Sequence, residues 1–346
     1  MTDDDDPGNT MRGRVGTRRT RFLLYAQLNV NRLVLTLWVS IAFFVALIVL
    51  STFDGTPIRV VMRASDPVET LFQGFLTAII TGVTLVVTIS QLVLSQELGP
   101  LGDQRERMEG AMSFREQVED FFDAAPPPEP SSFLQALIDM SAENAEELRE
   151  TVSDDHDEEF LDRLDTFLDQ LVSNAETVSA ELEDAQFGRY QVVKSALDYN
   201  YSWKIYQARR LQRDHAEDLS AAEQAAFNDL LQVLQFFGPA REHFKTLYFE
   251  WELVDLSRKM LYVSVPALLV ATAMLVIVDP STLPGIFLGI DTMNWIVIAS
   301  ATVCSVPFFL LGAYMLRLGT IARRTLAIGP FILRESGRSD TIDWES

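Results

Sequence analysis

The chain has 346 residues, a net charge of −21 at neutral pH and a pI near 4.5. That balance argues against nucleic acid as a partner, because phosphate binding needs clustered Lys and Arg. Hydrophobic residues make up 48% of the chain, an ordinary share, yet they gather in four runs while the carboxylates gather elsewhere. One cysteine, Cys304, excludes an intramolecular disulfide and a cysteine-held metal cluster.

The basic residues are lopsided: of 28, only Lys194, Lys204, Lys245 and Lys259 are lysine. Abundant Asp and Glu with scarce Lys resembles the composition of haloarchaeal proteins, whose hydrated carboxylates keep them soluble in concentrated salt. On that reading the acidity is an adaptation to surroundings and says little about a ligand.

Residues 1–32 form a basic N-terminal segment carrying Arg12, Arg14, Arg18, Arg19 and Arg21. Arg21 to Arg32 mixes apolar and polar residues. It fits either a short interfacial amphipathic helix or a cytoplasmic extension of the first span. An uncharged apolar run of about 18 residues or more reads as a membrane-crossing helix, and four qualify. They are Leu33–Phe53, Leu71–Ser95, Met260–Val278 and Met293–Leu316, none with a Lys, Arg, His, Asp or Glu. The first is too long, and lacks the cleavage site, for a signal peptide.

Arginines near the span ends set the orientation. Arg12 to Arg32 precede the first span, and Arg105, Arg107, Arg258 and Lys259 flank the inner ends of the second and third. Arg317, Arg323, Arg324 and Arg334 accompany the end of the fourth. The loop after span three has no basic residue, and that after span one only Arg59 and Arg63. Both termini and the central segment are therefore expected on the cytoplasmic side of the plasma membrane, with two hairpin loops outside.

The second span carries a polar seam. Thr77, Thr81, Thr84, Thr88, Gln91 and Ser95 recur at spacings of 4, 3, 4, 3 and 4, and Gln73 extends the line one turn earlier. That spacing places all seven on one helical face. Such a line should not face lipid, where polar groups lack partners. One reading is packing against other helices of the same subunit, with Gly74 and Gly82 allowing close approach. The other is a water-lined pore wall shared by several copies. The absence of ionisable residues within the spans argues against a coupled pump.

After this span, Gly99, Pro100 and Gly102 read as a breaker where the chain leaves the membrane, an elbow or a hinge to the soluble domain. From residue 97 to 259 helical signals dominate. A helix over about Asp103–Asp123 stops before the Pro-rich stretch Ala125–Pro130, and Ser131 or Ser132 is placed to cap the next, which runs to about Val152. The acidic run Asp154–Glu159, with His156 inside it, lacks the spaced ligands and turn glycine of a calcium loop and reads as a solvated turn. Leu161, Leu164, Leu168, Leu171, Ala175, Val178 and Leu182 then alternate at 3 and 4, a coiled-coil or bundle seam. Aromatic residues follow through Tyr190, Tyr199, Tyr201, Trp203 and Tyr206. Ser220 and Glu223 form a capping box opening a helix that Gly238 and Pro239 are expected to end. A last helix, about Ala240–Lys259, leads into span three.

No phosphate-binding loop, nucleophile elbow or zinc pattern is present. The histidines His156, His215 and His243 are dispersed, Cys304 reads as a packing residue, and neither an enzyme nor a cofactor or metal is expected. The fold class is therefore all-α: a polytopic membrane protein with four transmembrane helices in a 2+2 arrangement (33–96 and 260–316). A cytoplasmic helical-bundle or coiled-coil domain (97–259) lies between the pairs, and a tail (317–346) follows. This plan, with its polar second span, resembles that of bestrophin-like anion channels, whose second span lines the pore of a pentamer. The resemblance is of topology, with no motif matched residue by residue, and it carries over no site. It implies a homo-oligomeric pore in the lipid bilayer, passing inorganic ions and lined by Gln73, Thr77, Thr81, Thr84, Thr88, Gln91 and Ser95. The alternative is a membrane-anchored sensor or scaffold acting through its helical domain. For ion choice, Arg59 and Arg63 favour anions and the acidic domain cations, but a Debye length of about 3 Å in concentrated salt screens both.

Overall fold

A computed structural model describes residues 31–52, 65–183, 185, 190–278 and 285–324. Among the described residues the fold is all-α apart from one two-stranded hairpin. Its helices are α1 (Arg32–Thr52), α2 (Ser65–Glu97), α3 (Leu101–Phe122), α4 (Pro130–Thr151), α5 (Glu158–Glu183), α6 (Tyr190–Asp198), α7 (Tyr201–Asp214), α8 (Ala221–Val276) and α9 (Thr292–Arg324). The strands β1 (Ile286–Phe287) and β2 (Ile290–Asp291) pair between α8 and α9. Four helices, α1, α2, α8 and α9, are long and apolar enough to cross a membrane, as the four uncharged runs predict. The expectations for residues 1–30, Arg59, Arg63 and the tail beyond Arg324 lie outside the described residues.

The chain divides into two compact units, with one division between Gly99 and Pro100 and another inside α8 between Phe249 and Glu250. In the apolar unit α9 is the most covered of the spanning helices and α1 the least. Val68, Phe72 and Ile79 of α2 join Ala267, Ala271 and Met274 of α8 and Met293, Val297 and Cys304 of α9 in one core. Val86 joins Leu256, Met260, Leu310 and Tyr314 in a second. The Cys304 thiol is buried against the Ala267 carbonyl (3.5 Å), in keeping with a packing role. On α1, Phe43 packs edge-on against Phe309 (5.3 Å) and Phe44 against Trp295 (6.1 Å). Leu37 and Trp38 stay exposed, as suits a helix whose solvent is hydrocarbon. The small hairpin turns through Leu288 and Gly289 at positive φ and is fastened to α9, because the Trp295 indole donates to the Phe287 carbonyl (3.0 Å).

An ionic clamp ties three of these helices together. Arg32, the first residue of α1, is paired with the buried Glu252 of α8. Its guanidinium also lies 5.1 Å from the ring centroid of Tyr314 on α9. The Tyr314 hydroxyl donates to Asp255 (2.7 Å), and Lys259 donates to both Asp255 (2.6 Å) and that hydroxyl (3.0 Å). In the sequence Arg32 and Lys259 read as flanking charges; folding gathers them into one network with Glu252, Asp255 and Tyr314.

In the acidic unit, α4 and α5 form an antiparallel hairpin: Arg149 bonds Asp169 (2.5 Å) near the turn, and Gln135 bonds Ser179 (3.2 Å) towards the other end. The seam residues Leu164, Leu168, Leu171, Ala175, Val178 and Leu182 are buried as expected, with Leu161 at the margin and Phe160 and Phe167 added. The cap of α4 is Glu129, not a serine: its carboxylate accepts from Ser132 N (2.8 Å) and bonds the Ser131 hydroxyl. Pro130 occupies the first helical position, where its missing N–H costs nothing. Tyr190, Tyr199 and Tyr201 are core residues.

The Ser220–Glu223 capping box is present: Ser220 N donates to the Glu223 carboxylate (2.6 Å), and Glu223 N to the Ser220 hydroxyl (3.3 Å). The helix it opens does not stop at Gly238 and Pro239 but runs on through them to Val276. Gly238 has a packing reason: a Cβ there would lie 3.0 Å from the Tyr201 ring. The glycine makes room for an aromatic side chain instead of ending a helix.

Three outcomes follow. Glu252→Gln weakens the apolar unit by about 2 kcal/mol, since it removes the charge of a buried carboxylate that pairs with the part-buried Arg32. Arg258→Gln, at an exposed pair, changes stability by less than about 0.5 kcal/mol, and thermal unfolding in detergent separates the two. Gly238→Ala gains about 1 kcal/mol of helix propensity against about 1–3 kcal/mol of overpacking. It should therefore destabilise the native chain and become stabilising in a Tyr201→Ala background, measured by a double-mutant cycle. Burial raises the Glu223 pKa, but hydrogen bonds from Ser153 N, Ser220 and His156 outweigh it and bring it from 4.5 to about 2. The carboxylate thus contributes roughly 3 kcal/mol above pH 4.5, lost as pH falls towards 2. Urea unfolding of Glu223→Gln and the native chain across that window should show their difference shrink.

Candidate functional site: the polar face of the second membrane helix

On α2 the residues that pack inwards recur as Val68, Phe72, Ile79, Gly82 and Val86. Thr77 and Thr81 each lie two positions from Ile79, and Thr84 and Thr88 two positions from Val86. At 3.6 residues per turn that is about 200° around the helix. The seam therefore occupies the face opposite the one α2 uses within its own unit. All seven expected residues, Gln73, Thr77, Thr81, Thr84, Thr88, Gln91 and Ser95, are exposed in the single chain. The seven lie on that one face of α2, and none is sealed within the unit.

Each hydroxyl on this face donates to its own helix. Thr77 Oγ1 bonds the Gln73 carbonyl (3.1 Å), Thr81 that of Thr77 (2.9 Å), Thr84 that of Ile80 (2.9 Å) and Thr88 that of Thr84 (2.8 Å). Ser95 bonds the Leu92 carbonyl (2.7 Å). This back-bonding satisfies the hydroxyl protons locally, so the seam is cheaper to place in a membrane than the residue types alone imply. The oxygen lone pairs remain directed off the helix, where water or a partner can donate to them. Gln73, Thr77 and Thr81 of the seam also line an open groove of about 690 Å³ between α2 and α9, together with Gly74, Ala78, Gly82, Phe308 and Leu311. The two glycines differ: a Cβ at Gly82 would lie 3.6 Å from Met260 and 3.8 Å from Phe308, whereas one at Gly74 would meet nothing within 4 Å.

The expected breaker falls at Leu98 to Pro100, between α2 and α3. Pro100 occupies the N-cap position of α3 with φ −54° and ψ 151°, an extended conformation that ends the preceding helix. Gly102 is not part of the break. It lies in the first turn of α3 and is exposed.

In the acidic unit the dispersed histidines find structural partners. His156 Nε2 lies 2.7 Å from Glu223 Oε1, pinning the α4–α5 turn to the start of α8. His156 and His215 both pack against Phe160, with centroid distances of 5.3 and 4.4 Å. The expected solvated turn is exposed on both sides of His156, but the imidazole itself is drawn inwards. The sequence reading missed Lys204, which is 2% exposed. Its ammonium donates to Asn174 Oδ1 (2.5 Å) and sits 4.2 Å from the Tyr199 ring centroid. The one available signal was Asn174, a polar residue between Leu171 and Val178 on the seam.

No curated protein and no solved structure matches this chain. A family model does, over residues 1–346, and it is described as a family of unknown function. With a match over its whole length, the chain belongs to that family, DUF7972.

Proposed function

We propose that this protein forms an oligomeric, channel-like pore in the membrane, with α2 of each copy turning its polar face to a shared axis. The observation that carries the reading is the exposure of Gln73, Thr77, Thr81, Thr84, Thr88, Gln91 and Ser95 on the side of α2 that its own unit leaves uncovered. A wall of hydroxyl and amide groups supplies water with acceptors along a helix otherwise built of Leu, Ile and Val. The arginines flanking the spans favour a 2+2 arrangement with both termini and the acidic domain on the cytoplasmic side of the cell membrane. In that arrangement Gly99 and Pro100, at the division between the two units, serve as the hinge between pore helix and soluble domain. The Asp- and Glu-rich, Lys-poor composition suits a haloarchaeal cytoplasm.

The alternative is a membrane-anchored sensor or scaffold. In its favour is a groove of about 970 Å³ on the acidic unit, rimmed by Gln117, Asp120, Arg209, Gln212, Asn228 and Gln235. That reading asks for the seam to be sealed inside a single subunit, and the exposed seam supports the pore instead.

Purified protein in liposomes conducts small ions, and Thr84→Leu lowers the flux several-fold while thermal unfolding is unchanged. Cysteines placed along α2 react with a membrane-impermeant thiol reagent at Thr77, Thr81, Thr84 and Thr88 but not at Ile79 or Val86. Inert vesicles from folded protein, together with no labelling at the seam, overturn the pore.

A further inference from the structure

The β1–β2 hairpin is built the wrong way round for water. Its one ionisable residue, Asp291, is 6% exposed and accepts from Met293 N (3.0 Å), while Ile286, Phe287 and Leu288 stand out at 64%, 61% and 78%. A hairpin that faces water carries the reverse arrangement, polar side chains outward and apolar ones in. The turn makes the same point. Leu288 (φ 51°) and Gly289 (φ 80°) are its two central residues, a pair of positive-φ positions for which Asn-Gly is the favoured sequence. A leucine there costs energy that Asn or Gly would not. It holds an apolar side chain at the tip of the turn.

What surrounds this tip follows from its two faces and its anchorage. Successive strand residues point to opposite sides, so Ile286 and Phe287 are exposed on different faces. A docked protein covers one face of so small a hairpin, whereas lipid surrounds both. The tip is also joined to the membrane helices through Trp295, in the first turn of α9. The Phe287 ring lies 6.2 Å from the Trp295 ring, which lies 6.1 Å from Phe44, eight positions inside the end of α1. An indole with one apolar side and one bonded N–H is the side chain that membrane interfaces favour. Free backbone amides are the usual obstacle to non-helical chain in a bilayer, and here several are engaged. The strands pair Ile286 with Asp291 and Phe287 with Ile290, the Trp295 indole donates to the Phe287 carbonyl (3.0 Å), and Thr292 N donates to the Gly285 carbonyl (3.0 Å).

We propose that the β1–β2 hairpin is a lipid anchor, with Ile286, Phe287 and Leu288 seated in the interface of the bilayer beside the start of α9. The inference rests on the membrane helices and not on the pore, so the two stand or fall separately. Ile286→Cys, Phe287→Cys and Leu288→Cys are made singly in the full-length protein, labelled with an environment-sensitive fluorophore and placed in liposomes. Gly110→Cys, exposed on the acidic unit, is the reference for water. The native Cys304 is buried, and the unsubstituted chain sets the labelling background. Lipid spin-labelled near its headgroup quenches all three hairpin probes at least several-fold more than the probe at residue 110. Iodide on both sides of the membrane prefers residue 110 by a similar factor. Hairpin probes that iodide quenches as readily as the reference overturn the anchor. So does shielding of residue 286 or 287 from both quenchers, which places a protein surface, such as a second copy of this chain, over that face.

Discussion

Water is absent from the middle of a bilayer, so every polar group placed there must find its partner within protein, and this constraint shapes the apolar unit at each level. It makes the spans helical, since a helix satisfies its own amides. It sends the Thr hydroxyls of α2 back onto the carbonyls one turn earlier. It confines the ionised side chains to the span ends, where Arg32, Glu252, Asp255, Lys259 and Tyr314 neutralise and bond one another. What it does not dispose of is the outward row of oxygens on α2. Those lone pairs form an extended polar surface along α2, and they carry the proposed function.

The clamp ties α1 to α8 and α9, and apolar packing adds α2 to the last two. The buried apolar side chains fasten α2 at a defined face, so that it has no freedom to turn its hydroxyls inwards. With Ile79 and Val86 committed to the cores, the opposite face is committed outwards by helical geometry alone. A polar face held outwards by packing on its other side is suited to a shared axis, because its orientation does not depend on the pore forming.

The acidic unit follows water-soluble rules, with a buried Leu and Phe core under a carboxylate-rich surface. Its polar features are mostly end-of-helix devices: Glu129 caps α4, and Glu223 caps α8 while holding the α4–α5 turn through Ser153 N and His156. Glu223 thereby ties the α4–α5 turn to the start of α8 through one carboxylate. Helix α3 differs in that residues 101–113, its first half, are exposed throughout.

The sequence by itself determined the four spans, the polar line on the second, the α5 core seam and the Ser220–Glu223 cap. Each of these is a periodic or adjacent pattern, and helical geometry converts such patterns directly into faces and ends. The turn at Gly238–Pro239 was misread for a related reason. Local propensity marks those residues as breakers, and only packing shows that Tyr201, 37 positions earlier, needs the missing Cβ. The Glu129 cap was missed because the serines after it carry the stronger local preference. Three features were decided by tertiary structure alone: the clamp from Arg32 to Tyr314, the burial of Lys204 beside Asn174 and Tyr199, and the exposure of the seam. Each depends on which residues distant in sequence come to lie together, or fail to, and that is set by packing and not by the spacing of neighbours.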